Sequence, residues 1–216
     1  MTVGNRAALA AVAAGAAALA VAAVVAVVSR PAGSVGTEQA AALASSTAAR
    51  TGPAVAVAPG ALPDDAEPVR PVRLRIPAIG VTARVDPVGV DERTQEFDVP
   101  PSVDEIGWYR YGPGLEAESG SVVIAGHVDS ADQGRGAFYR LRELTPGDTV
   151  TATGEDGTER TYRVVAREEY DKTKIPLERY FARDGRPRLT LITCGGPFDA
   201  EARRYRDNIV VTASPV

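Results

Sequence analysis

The sequence is poorest in the residues that staple or metallate small domains: 216 residues include one cysteine and one histidine. One cysteine cannot close an internal disulfide, and a single Cys with a single His supplies too few ligands for a zinc site. No metal or cofactor is expected. A basic excess is missing too. The formal net charge is −4, with −1 falling in residues 1–67 and −3 in the rest, so nucleic acid is not an expected partner. No Gly-rich phosphate loop and no internal repeat occur. Aromatic residues are absent before Phe97, which denies the first part of the chain the bulky side chains of an ordinary core.

What that first part does contain is alanine. Residues 7–28 are an uncharged run of 22, flanked by Arg6 and Arg30. A helix of that length crosses a bilayer core, at ~1.5 Å rise per residue against ~30 Å of hydrocarbon. Two readings fit, a cleaved secretory signal and a retained signal anchor. The length of the run favours the anchor, so residues 1–30 are read as a single-pass transmembrane segment in contact with lipid. Either reading puts the remainder outside the cytoplasm. Residues 31–67 are rich in Ala, Gly, Ser and Pro without a sustained apolar face, and read as a flexible linker. Within it, residues 38–48 have helical composition but little to pack against.

The texture changes near residue 69, and residues 68–216 are read as one domain of ordinary size. Short β-type runs alternate with Gly and Pro. VRLRIPAIGVTARV alternates apolar and polar residues, and GSVVIAGHV is a continuous apolar run suited to a strand buried on both faces. DTVTATG and ERTYRVVAREEY flank the turn signal GEDG, the pattern of a hairpin. RLTLITCG and DNIVVTA read as the last two strands, while GAFYRLREL and PLERYF predict short helices. Seven or eight short strands with few helices predict an all-β barrel or sandwich.

Three polar groups stand at predicted strand ends. His127 follows the apolar run ending in Gly126, Cys194 follows TLIT and precedes two glycines, and Arg206 enters the final strand. A rigid sheet holds such groups in convergent geometry. A thiolate attacks where a thiol does not, and a neighbouring cation favours the thiolate. Imidazole exchanges a proton near neutrality. A guanidinium donates paired hydrogen bonds to a developing oxyanion. Gly195 and Gly196 would admit a substrate backbone, and the Thr193 hydroxyl would bond to it. Arg203 and Arg204 are close enough in sequence to compete with Arg206. Asp129 would orient a loop or the imidazole, or close an Asx turn. Trp108 would pack in the core or at the groove rim. The acidic GEDGTE run supplies too few spaced carboxylates for calcium.

These residues sit in motifs that resemble a known family. TLITC (190–194) is similar to the TLxTC signature of sortases. RIPAIGV (75–81), GSVVIAGHVD, GAFYRLRELTPGD, CGGPFD and YRDNIVV resemble further sortase motifs, in the family's order across about residues 69–216. The closing motifs resemble class F sortases of high-GC Gram-positive bacteria. The resemblance implies a closed eight-stranded β-barrel and a cysteine transpeptidase. It implies cleavage of an LPxTG-type sorting signal between Thr and Gly, with Cys194 as nucleophile, His127 as acid/base and Arg206 as oxyanion stabiliser. The acyl group would pass from a thioester to an amine on a lipid-linked cell-wall precursor or a pilin. The connection 167–188 would wall the substrate groove. Residues 31–67 lack the aromatic anchor of an active-site lid, which favours anchoring of surface proteins over pilus polymerisation. A non-catalytic envelope peptide-binding barrel is the alternative.

Overall fold

A computed structural model of the chain describes residues 33–45, 67–91 and 97–216. Eight strands close into a barrel. In chain order they are β1 (Pro71–Ile76), β2 (Val81–Val88), β3 (Ile106–Tyr109), β4 (Ser121–Gly126), β7 (Thr149–Gly154), β8 (Glu159–Asp171), β9 (Arg188–Asp199) and β10 (Arg204–Pro215). The order around the barrel is β1-β2-β3-β4-β9-β10-β8-β7, closing on β1. Closure leaves no unpaired sheet edge. A two-stranded ribbon, β5 (Asp129–Ser130) with β6 (Gly134–Arg135), stands outside the barrel after β4.

The alternation in the sequence sets which side chains enter. Leu74 and Ile76 of β1 and Ala83, Val85 and Val88 of β2 are buried, while the residues between them face outward. All six residues of β4 are buried, Val122 to Gly126 as an unbroken run without polar side chains and Ser121 with its hydroxyl bonded to that of Thr190 at 2.7 Å. The core gathers Ile106, Ile124, Phe138, Tyr162, Leu189, Leu191 and Val211. Each fully buried aliphatic side chain contributes roughly 1.5–3 kcal/mol. Trp108 joins this core at 3% exposure, its indole N–H donating to the Pro113 carbonyl at 3.2 Å.

GEDG forms the predicted β7–β8 hairpin tip, with Gly157 in the left-handed region. GAFYRLREL departs from expectation: it contains only a 3₁₀ turn at Leu141–Glu143. Phe138, Leu141 and Leu144 are all fully buried, and their spacing of three matches three residues per turn rather than 3.6. PLERYF yields one helical turn, α2 (Leu177–Tyr180).

The largest departure precedes the barrel. Residues 33–45, assigned by composition to the linker, dock on β8. Val35 pairs with Arg167 through N–H···O bonds of 2.7 and 2.9 Å. Helix α1 (Thr37–Ala44) buries Ala40 and Leu43. Gly36 makes the turn between them at φ 73°, where a side chain would overlap the Val165 carbonyl. The buried Arg167 guanidinium donates to the Leu144 and Gly33 carbonyls, so a polar residue of β8 supplies the partner that composition did not reveal. The sequence-predicted spanning segment 7–28 and linker residues 46–66 lie outside the described residues. Among the described residues no helix is long and apolar enough to cross a membrane.

Candidate active site

Strand pairing brings His127 and Cys194 together. β4 and β9 run parallel, and their last registered pair is Ala125 with Ile192. His127 and Cys194 each stand two residues further on, at the same end of neighbouring strands. Adjacent strands lie ~4.8 Å apart. The Thr193 hydroxyl crosses that gap, donating to the Gly126 carbonyl at 2.8 Å. Thr193 is 4% exposed and its proton is committed to this bond. It ties the His strand to the Cys strand.

The imidazole is oriented from behind. His127 Nε2 lies 2.9 Å from the Pro100 carbonyl oxygen. A carbonyl has no proton to give, so Nε2 carries the hydrogen and Nδ1 is left for proton exchange. Asp129 neither bonds the imidazole nor closes an Asx turn. Its Oδ2 accepts from the Tyr205 hydroxyl at 2.6 Å.

A bulge delivers Arg206. Tyr205 pairs with Phe198 and Asp207 with Gly195, so Arg206 alone opposes Gly196 and Pro197. Gly196 makes this possible at φ 71°, where a side chain would collide with the Asp207 carboxylate. The glycine next to the cysteine also has an internal reason. A side chain at Gly195 would meet Ile209 Cγ1 at 2.6 Å, and Gly195 is not among the residues that line the cleft. The room that the sequence reading reserved for substrate is thus filled by β10.

Arg206 is 63% exposed and its Nη2 lies 3.2 Å from Asp199 Oδ2. A backbone N–H from Ala202, with help from Arg206, holds the Asp199 carboxyl below the usual range. Arg204 also faces the cleft, whereas Arg203 sits in the β9–β10 turn at φ 51°.

Cys194, His127 and Arg206 line one cleft of about 1150 Å³. The opposite wall is built from loops. Ile175, Leu177 and Phe181 come from the connection between β8 and β9; the sequence assigned 167–188 to this role, but β8 runs on to Asp171 and the connection spans 172–187. Val90, Phe97 and Val99 come from the β2–β3 connection, and Tyr109 from β3. Phe97, Tyr109 and Phe181 pack with centroids 5.1–6.2 Å apart. The β2–β3 contribution is not legible in the sequence, because no local motif marks a loop whose partner is a strand distant in the chain.

Behind the loop wall is a buried carboxylate. Glu168, 1% exposed, accepts from the Tyr180 and Tyr170 hydroxyls at 2.8 and 2.9 Å and pairs with Arg179 at 3.2 Å. Burial pushes the Tyr180 phenol far above its ordinary range, so it remains a donor. This cluster fixes α2 to β8 and aims Leu177 and Phe181 at the cleft.

A sortase-domain family model matches residues 74–216. The chain belongs to the sortase family. Solved sortases share its fold. It is similar to a pilus-related sortase C of Group B Streptococcus at 15% identity and TM-score 0.51, covering 68% of both chains. Sortase C-1 of Actinomyces oris matches at 23% identity and TM-score 0.51, over 68% of this chain and 76% of that one. A lid mutant of sortase A from Corynebacterium diphtheriae matches at 24% identity and TM-score 0.51, over 71% and 74%. A search of curated proteins finds no match. Sortase-family members are cysteine transpeptidases, so the family supports an enzyme of that type.

Proposed function

We propose that this sortase cleaves an LPxTG-type sorting signal between Thr and Gly and transfers the acyl part to an amine. With its proton transferred to His127, the Cys194 thiolate bonds to the scissile carbonyl carbon, and the oxyanion that forms accepts hydrogen bonds from Arg206. The C–N bond then breaks, with His127 giving a proton to the leaving glycine amine. An incoming amine attacks the thioester, loses its proton to His127 and expels the Cys194 thiolate. The acceptor would be a lipid-linked cell-wall precursor or a pilin amine, and the clients would be surface proteins bearing the signal. Residues 7–28 would anchor the enzyme in the membrane with its barrel outside the cytoplasm. The closing motifs CGGPFD and YRDNIVV support placement in class F.

The observation that supports this reading best is the meeting of the lone Cys, the lone His and Arg206 in one cleft. Asp199 presents no obstacle, since a guanidinium has five N–H donors and the contact uses one nitrogen. The test is hydrolysis of a fluorogenic LPxTG peptide by the wild type and Cys194→Ala. Cleavage by the wild type alone supports the reading; binding without cleavage by either overturns it in favour of a peptide-binding module.

A further inference from the structure

His127 sits at the root of a protruding ribbon rather than within the barrel. The chain leaves β4 at Gly126 and pairs Asp129 with Arg135. It returns where Gly136 donates to the Val128 carbonyl at 2.9 Å. One flank of this ribbon is fastened to the segment before β3. Gln133 donates to the Pro101 carbonyl at 3.0 Å and accepts from the Val103 N–H at 3.2 Å, and the imidazole itself bonds Pro100. All of these ties lie on the side away from Arg206.

The opposite flank is held by the Tyr205 hydroxyl on Asp129, two residues from the histidine at one end and next to Arg206 at the other. Phe198 braces the tyrosine ring edge-on at 5.2 Å. The carboxylate next to Tyr205 pushes its phenol up to about 12, so the hydroxyl keeps its proton throughout the neutral range. The bond buries no core residue. Its effect is to bridge the strand that carries Arg206 and the ribbon that carries His127, over the cleft that holds Cys194.

We propose that Tyr205 and Asp129 are positioning residues, a clasp that sets the distance between the His127 imidazole and the Cys194–Arg206 edge. Without it the ribbon beyond Gly126, whose carbonyl Thr193 holds, is fastened only on the Pro100–Val103 side, and the imidazole drifts with its Pro100 anchor. The inference rests on the transpeptidase reading above for its kinetic consequence, though not for its structural one.

The experiment compares the full chain with Tyr205→Phe, Asp129→Ala and the double variant. In cleavage of the LPxTG peptide, each single variant loses roughly tenfold in kcat, the effect of one charge-assisted hydrogen bond, with KM within about twofold. The double variant is no worse than either single, as expected of two ends of one bond. The chain has one histidine, so its imidazole NMR signals need no assignment, and both single variants shift or broaden them in the same way. A kcat within twofold of wild type, or losses that multiply in the double variant, overturns the clasp. So do imidazole signals that superimpose on the wild type's. If the wild type cleaves no sorting peptide, the transpeptidase reading fails, and the imidazole signals still decide the clasp.

Discussion

The two walls of the cleft are built on different principles. One wall is built on strands: Ala125 and Ile192 are paired across β4 and β9, Cys194 pairs with Asn208 on β10, His127 stands one residue beyond β4, and Arg206 rides the β10 bulge. The facing wall, with Phe97, Ile175, Leu177 and Phe181, is loop, held by ring packing and by the buried Glu168 cluster. A ladder repeats its bonds at every residue, so loss of one shifts little. The loop wall depends on a few side chains. The proposed chemistry thus draws on strand-positioned residues, and the proposed fit on the adjustable wall.

That contrast can be broken from either side. The largest effect is expected on the strand wall. Cys194→Ala removes the attacking atom while leaving β9 paired, so cleavage falls by roughly 10³-fold or more with little change in peptide affinity. Kinetics and a binding isotherm check both halves. On the loop wall, Glu168→Ala leaves Arg179 facing a buried void. A loss of about 3 kcal/mol in stability and a raised KM are expected by denaturant unfolding and steady-state kinetics, with Cys194 still alkylated at its usual rate. Phe181→Ala is milder. It deletes apolar area worth roughly 1.5–3 kcal/mol when covered, and KM rises about tenfold while kcat stays within twofold.

The same difference explains what the sequence disclosed. β4 was legible because Val122 to Gly126 form an unbroken run without a polar side chain, as burial on both faces demands, and β1 and β2 because one-sided burial imposes a period of two. Cys194, His127 and Arg206 were legible as polar residues at the ends of such strands, and through the motifs around them. Asp129 was legible as a residue that orients its loop, but its partner Tyr205 was not, because it lies 76 positions away. Gly195 and Gly196 looked like room for substrate, whereas Ile209 and Asp207 occupy that space. The docking of α1 was hidden because its two buried side chains, Ala40 and Leu43, gain meaning only once Val35 pairs with Arg167 and the Leu43 carbonyl meets the Arg186 N–H. Tertiary partners decided each of these cases, not local propensity.

The smallest expected effect is spectroscopic and tests the junction of the two regions. The hydrogen bond to Asp129, then burial, raises the Tyr205 phenol from about 10 to about 12. A raised folded value favours the protonated form in the native state, so the resulting stability is complete below pH ~10 and lost as pH rises through ~12. Phenolate absorbance, taken as wild type minus Tyr205→Phe, should titrate near pH 12 and move toward 10 in Asp129→Ala.

The most direct measurement is the mass of the enzyme quenched during turnover of an LPxTG peptide. An adduct equal to the peptide through its threonine is expected, located on Cys194 and removed by an added amine. Turnover with no adduct on Cys194, or peptide cleavage that survives Cys194→Ala, would contradict it.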